Sequence, residues 1–345
     1  MKIVLLGGGK FLLEACRWLA KQIFVQEVVI FTSPRHAGEL LETQGSSFED
    51  TANEIIAECR HDKSAPIHFE IIQSLDEKAF FTAAENSELC FSFSAAWIFK
   101  RKHIDACRNL INMHCTSLPQ WRGGGGYSWQ ILAGIDKFSI TFHRIDEGVD
   151  TGNIIFSKVL FFPNGTTTPA ERNRFVDHQA FIYFQKLISY YLDKEEFPCE
   201  REQDESFSSY FPRLNSSIHA CINWDWSPSE IAKFISAFDD PYPGAFCYLS
   251  GSRQKVFLKK ARVIEGECQF HPFQAGLIYR IDNYGIYICA RGGALLVEQV
   301  FGGDGECSMS SLRAGDRLWT PREQLELAMS TRIIYTPSGE KQANN

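Results

Sequence analysis

The sequence predicts an α/β protein, with a parallel, doubly wound sheet in the first two hundred residues and a smaller β-rich domain after it. Two observations carry this. Up to residue 192, strand-length apolar runs alternate with segments of helical periodicity, as in a parallel sheet crossed by helices. Past Pro212, short apolar runs recur with Gly, Asp and Asn between them, the spacing of a small barrel or sandwich. A chain of 345 residues, 44% apolar and 22% charged, has room for both cores.

The elements follow in order. Residues 1–6 form an apolar run closed by Gly7-Gly8-Gly9, a buried first strand and its turn. Helical spacing over 11–23 (Leu12, Leu13, Cys16, Leu19) gives a helix, and 27–31 a second strand. Helices are expected over 48–59, 76–85 and 100–108, and strands over 67–72, 89–94 and 110–114. An alternating strand and another at 153–162 precede a long helix at 169–192, whose apolar stripe includes Phe175, Phe181, Phe184, Leu187 and Ile188. From Asp193 the composition turns polar. The boundaries expected are a first domain over 1–200, a linker over 201–215, a second domain over 216–320 and a polar tail over 321–345, poorly ordered at its end. The second domain opens with a helix at 228–238 and continues with strands at 245–249, 256–258, 261–264, 276–279, 285–290 and 294–300.

Composition excludes several classes. The first strand stops at Gly7 without a cleavage site, and no apolar stretch approaches the roughly 20 residues of a membrane span. A cytoplasmic protein without a membrane partner is expected. Eleven cysteines lie scattered from Cys16 to Cys307 with no Cys-x-x-Cys, which fits reduced buried thiols and neither a disulfide framework nor a zinc site. No metal is expected. A net charge of −7 tilts against nucleic acid as the main partner.

The first glycines admit more than one reading. A dinucleotide site is disfavoured, because Leu12 occupies the third glycine position and Phe31-Thr32-Ser33 offers no acid for a ribose. A tight strand-to-helix turn is the ordinary reading. Gly8 and Gly9 facing a ligand phosphate at a helix N-terminus, with Lys10 as helper, is the functional one.

Residues 112–150 hold the chemistry. Asn112 and His114 are two apart at a strand end, so both side chains leave on one face, where open α/β sheets bind ligands. Asp150 arrives 36 positions after His114 from a different strand. Gly123-Gly124-Gly125-Gly126 removes every Cβ and allows close backbone approach to a ligand. Imidazole, carboxylate and amide together suit acyl transfer: the ring takes a proton from an attacking amine, the carboxylate orients it, and the amide donates to a tetrahedral oxyanion. Cys115 points to the opposite face and reads as structural. A core histidine beside loop-capping Asn and Asp is the alternative.

These residues also carry a resemblance. Asn112-Met113-His114, Thr116-Ser117-Leu118-Pro119, Trp121-Arg122-Gly123, Trp129, Ser139-Ile140-Thr141-Phe142-His143 and Asp150-Thr151-Gly152 follow, in order and spacing, the signature of the formyltransferases that use 10-formyltetrahydrofolate. That family includes methionyl-tRNA formyltransferase and the sugar N-formyltransferases. Later echoes are Ile222-Asn223-Trp224 and Pro241-Tyr242-Pro243-Gly244-Ala245. The departures are Thr116 for a usual Ser, Ser117 for Leu, and Gly124-Gly125-Gly126 where a Pro-containing segment is usual. The resemblance implies the formyltransferase fold, a Rossmann-like, mostly parallel sheet followed by an OB-like domain. It implies His114 as general base, Asn112 as oxyanion stabiliser and Asp150 as the residue that raises the His114 pKa. It places 10-formyltetrahydrofolate along Phe93, Ser94 and Trp97 and the loop Asp146-Glu147-Gly148-Val149, with Thr116, Leu118 and Arg122 beside it. Arg122 either touches the ligand or orients the loop. His143 reads as a structural histidine on the strand leading to Asp150.

The family divides by acceptor. Between Asp225 and Glu326, eleven Lys and Arg stand against thirteen Asp and Glu, poor ground for tRNA. The Pro241–Ala245 segment resembles enzymes acting on nucleotide-linked amino sugars of the lipopolysaccharide or O-antigen kind. A dTDP- or UDP-linked amino sugar is therefore the expected partner, methionyl-tRNA the alternative, and a non-catalytic ligand-binding relic the third reading. A homodimer is compatible with the exposed β-rich second domain.

Overall fold

The structure is a computed structural model that describes residues 1–41, 45–62, 64–303 and 311–344. The first half runs β1 (Lys2–Gly7), α1 (Lys10–Ala20), β2 (Glu27–Thr32), α2 (Pro34–Ala37), α3 (Phe48–His61), β3 (Ile67–Ile71), α4 (Lys78–Glu85), β4 (Leu89–Phe93), α5 (Arg101–Asp105), β5 (Leu110–His114), β6 (Arg122–Gly123), α6 (Gly126–Leu132), β7 (Lys137–Arg144), β8 (Ile154–Phe161) and α7 (Pro169–Lys194). Seven strands form one sheet in the order β3-β2-β1-β4-β5-β7-β8, parallel through β5 and antiparallel at β7 and β8. Both faces are covered, so the central strands are largely apolar: every residue of β4 is buried, Ser92 being its one polar member.

Helix α7 holds one face. It begins at a capping box in which Thr168 Oγ1 accepts from the Glu171 N–H and the Glu171 carboxylate takes the Thr168 N–H, a device worth about 1 kcal/mol. Its Phe184 is fully buried, 5.1 Å from Phe91 and 5.7 Å from Phe93 between ring centroids. Those edge-to-face contacts seat α7 on the very strand whose end carries Phe93.

The second half contains β9 (Tyr210–Phe211), α8 (Ser216–His219), α9 (Pro228–Ala237), β10 (Ala245–Leu249), β11 (Lys255–Ile264), β12 (Ile278–Asp282), β13 (Gly285–Ala290), β14 (Gly293–Gly302), β15 (Leu318–Trp319), α10 (Arg322–Ser330), β16 (Thr331–Thr336) and β17 (Gly339–Asn344). Six strands form an antiparallel sheet, β12-β13-β14-β11-β10-β15. The two runs expected at 256–258 and 261–264 are one strand, β11, which passes through Lys260 at φ 52°. The core of this half also takes Ile131 from α6, and Ser128 Oγ donates to the Ala237 carbonyl at 2.8 Å, so α6 and α9 join the halves.

Two expectations change. Residues 201–215 are a strap rather than a slack linker: β9 pairs in parallel with β6, beside the Gly123–Gly126 loop. The polar tail is α10 and the β16–β17 hairpin, held where His219 Nε2 meets the Thr331 carbonyl at 3.0 Å. Polar composition hid both, because their partners lie far away in sequence. Cys307 falls outside the described residues; the other ten cysteines are free thiols. Among the described residues no helix is long and apolar enough to cross a membrane.

Candidate active site

Antiparallel pairing assembles the centre. In the β5–β7 register Asn112 faces His143 and His114 faces Thr141, while Ser92 of β4 pairs with Asn112 on the other side. Asp150 comes from the loop after β7, with φ 56°, a left-handed conformation that Asp tolerates better than most residues. Its Oδ2 lies 3.7 Å from His114 Nδ1 and accepts from the Gly123 N–H at 2.9 Å. Its Oδ1 lies 3.6 Å from His143 Nε2 and accepts from Asn112 Nδ2 at 3.4 Å. The three polar residues expected to converge do converge, and His143 joins them.

The hydrogen bonds fix roles for the ring nitrogens. His143 Nδ1 lies 2.7 Å from the Arg144 carbonyl, which can only accept, so Nδ1 donates and Nε2 accepts from Asn112 Nδ2 at 3.0 Å. His114 Nε2 lies 2.7 Å from the Trp121 carbonyl, so in the neutral ring Nε2 carries the proton and Nδ1, facing Asp150, is the basic nitrogen. Thr116 Oγ1 also bonds the Trp121 carbonyl, at 2.7 Å, and contacts His114 Nε2. Burial by itself would push the Asp150 carboxyl up. The charge that the His114 and His143 rings carry when protonated, together with the Gly123 N–H, outweighs it and holds the group well below the usual carboxylate range.

Cys115 is no nucleophile. Burial pushes its thiol up to about 12, far from a reactive thiolate at neutral pH. No cluster of potential metal ligands exists among the described residues.

The four-glycine loop takes the strap at close range. Gly123 has φ +97°, and a Cβ there would lie 2.2 Å from the Phe211 carbonyl oxygen; one on Gly124 would lie 2.1 Å from Arg213 Cγ. Trp121 stacks on Phe211 with centroids 4.5 Å apart, and Trp129 Nε1 donates to the Pro212 carbonyl at 2.8 Å. Arg122 is buried and does not face the site opening. Its guanidinium makes two bonds to Glu205, at 2.6 and 2.9 Å, and two to Gln203, at 2.8 and 3.2 Å. Gln203 in turn donates to the carbonyls of Asp150 and Gly152, both at 2.8 Å. Arg122 therefore orients the loop and is not placed to touch a cofactor.

The other expected residues divide. Ser94 is exposed, and Asp146, Glu147, Gly148 and Val149 form an exposed loop. Asp146 Oδ1 accepts from the Gly148 N–H at 3.1 Å, and Glu147 Oε1 accepts from the Arg101 N–H at 3.3 Å, which ties this loop to the one after β4. Phe93, Trp97 and Leu118 are buried; the Trp97 indole packs in the core and donates to the Gln73 carbonyl at 3.3 Å, so it is floor rather than exposed plate. The Gly8 N–H donates to the Phe93 carbonyl at 3.0 Å, which removes it from phosphate binding. Gly9 is the N-cap of α1 and Lys10 is exposed, its charge opposing the burial of Asp177. Sequence reasoning missed Gln203, the bond from the Gly123 N–H to Asp150 and the link from His143 to Asn112. The antiparallel register carries the last; nothing local marks Gln203.

Comparisons with known proteins agree with this architecture. The family model for formyl transferase matches residues 1–186, and that for the formyl transferase C-terminal domain matches 216–317. A methionyl-tRNA formyltransferase of Coxiella burnetii (strain CbuK_Q154) is 29% identical over 218 residues, 63% of this chain and 66% of that protein, so the match spans just under two thirds of that relative's length. An N-formyltransferase from Helicobacter canadensis, solved with folinic acid and dTDP-3-aminofucose, superposes with TM-score 0.61 at 20% identity, covering 87% of this chain and all of that one (100%). A 4-N formyltransferase from Francisella tularensis gives 0.56 at 18%, covering 75% of this chain and 96% of the other. With both family models spanning the sheet, the Asn112–His114–Asp150 centre and the second domain, the chain belongs to the formyl transferase family.

Proposed function

We propose that this protein transfers a formyl group from 10-formyltetrahydrofolate to the amine of a dTDP- or UDP-linked amino sugar. The observation that carries the chemistry is the convergence of Asn112, His114 and Asp150 within hydrogen-bonding or ion-pairing range at the end of β5. The acceptor amine attacks the formyl carbon and a C–N bond forms. His114 Nδ1 takes the amine proton, and the Asp150 carboxylate, ionised at working pH, stabilises the imidazolium. Asn112 Nδ2 exchanges its long 3.4 Å bond to Asp150 for the oxyanion of the tetrahedral intermediate, while its 3.0 Å bond to His143 keeps it aimed. Collapse breaks the bond to the folate N10, which leaves with the proton held by His114. Ser94 and the exposed Asp146–Val149 loop would hold the pterin, with Phe93 and Trp97 buried in separate cores behind them.

The acceptor reading is supported by the near-balanced charge of the second half and by likeness to sugar N-formyltransferases, one of them solved with dTDP-3-aminofucose. The curated relatives favour methionyl-tRNA instead. A thermal-shift panel on the full chain separates the two: dTDP- or UDP-amino sugars are expected to raise Tm, and initiator methionyl-tRNA is not. Stabilisation by the tRNA alone reverses the acceptor, stabilisation by neither folinic acid nor any acceptor overturns the formyl-transfer reading, and binding of both without turnover means a ligand-binding relic.

A further inference from the structure

The C-terminal hairpin returns to the carboxyl edge of the large sheet. There the Tyr335 ring has two guanidiniums at it, Arg35 Cζ at 5.3 Å and Arg213 Cζ at 5.4 Å from its centroid. The hairpin is fixed in place: the Arg35 N–H donates to the Pro337 carbonyl at 3.0 Å, Tyr335 OH donates to the Leu214 carbonyl at 3.4 Å, and Asn215 Nδ2 donates to both Glu340 oxygens at 2.9 and 3.0 Å. Two like charges share one ring and repel. Burial weakens the hold of Arg35 on its proton, and the charge of Arg213 adds to this against the counter-pull of Glu39.

The nearby carboxylates leave this charge only partly answered. Glu39 covers one edge of Arg35, whose Nη2 donates to His36 Nε2 at 2.6 Å and would have to exchange that bond for a ligand oxygen, and Glu340 is engaged by Asn215. Arg213 is exposed and has no ion-pair partner among the described residues. Beneath it, Arg35 Nε and His36 Nδ1 are buried without a hydrogen-bond partner. The cluster touches two glycine turns. His36 packs on Gly8, where a Cβ would lie 2.7 Å from its Cγ, and Arg213 packs on Gly124, next to the Gly123 N–H that anchors Asp150.

We propose that Arg35, Arg213 and Tyr335 form the subsite for the diphosphate of a nucleoside diphosphate-linked acceptor, with the β16–β17 hairpin as its outer wall. This rests on the nucleotide-sugar reading above. Guanidinium forks match phosphate oxygens in pairs, and a diphosphate offers enough oxygens for two of them. The hairpin and Arg213 lie outside the residues matched by the two family models, 1–186 and 216–317, and Arg35 lies inside the first.

The test is calorimetric titration of the full chain with dTDP, UDP and inorganic pyrophosphate, with folinic acid as the control for an intact fold. Arg213→Ala is expected to weaken the better nucleotide about tenfold or more, with Arg213→Lys intermediate, because each loses charge-assisted bonds. Folinic acid affinity should hold in both, and pyrophosphate should compete with the nucleotide on the unaltered protein. Unchanged nucleotide affinity in both Arg213→Ala and Arg35→Ala overturns the subsite and leaves the acceptor reading standing. An unaltered protein that binds initiator tRNA but neither nucleotide overturns both.

Discussion

At His114 the two ring nitrogens face different partners, and this decides which of them can take a proton. Nε2 is committed to the Trp121 carbonyl, so only Nδ1, beside Asp150, can act. His114→Asn keeps the size and polarity of the side chain but removes that base. Turnover on the cognate amine is expected to fall by about 10² to 10⁴, with Tm within a few degrees of the unaltered protein; near-normal turnover would remove His114 from the chemistry. The convergence was legible in the sequence, because strand parity alone puts Asn112 and His114 on one face. The part played by His143 was not. It depends on β5 and β7 running antiparallel in one particular register, a fact about pairing partners that no local pattern encodes.

Between elements, the decisive contact is the strap on the glycine loop. The glycines were legible as a place where backbone comes close to something, but what comes close is the chain's own residues 211–214. The polar run from Asp193 concealed this, since Gln203 and Glu205 look like solvated linker until Arg122 is seen to hold them. Gly123→Ala must carry a side chain at φ +97° into the Phe211 carbonyl. The cost is expected to exceed about 1 kcal/mol, read as a Tm loss of at least ~2–4 °C. Because the Gly123 N–H holds Asp150, turnover should fall too. An alanine variant with normal Tm and rate would show that the strap is not seated as described.

For the whole molecule, the alternation of strands and helices made the large sheet legible, whereas the tail was misjudged because composition reports solubility and not docking. The molecule also carries a pH-dependent liability where α7 meets α1. Burial and then the charge of Glu14 push the Asp177 carboxyl up to about 7, against the pull of Lys10. The folded state therefore keeps this proton when the unfolded chain, titrating at about 3.9, has lost it. Stability falls as pH rises through that window, and the penalty is complete above it. Asp177→Asn should raise Tm at pH 8 and leave it unchanged at pH 4; an equal shift at both would rule out titration as the cause. The strap has one more consequence. The two halves look separable, yet residues 203–214 pack on the glycine loop and Asp150 although they lie beyond the first family match. A chimera that exchanges second halves at residue 200 would leave behind the clasp on Asp150, so a graft that preserves function has to cut after residue 215.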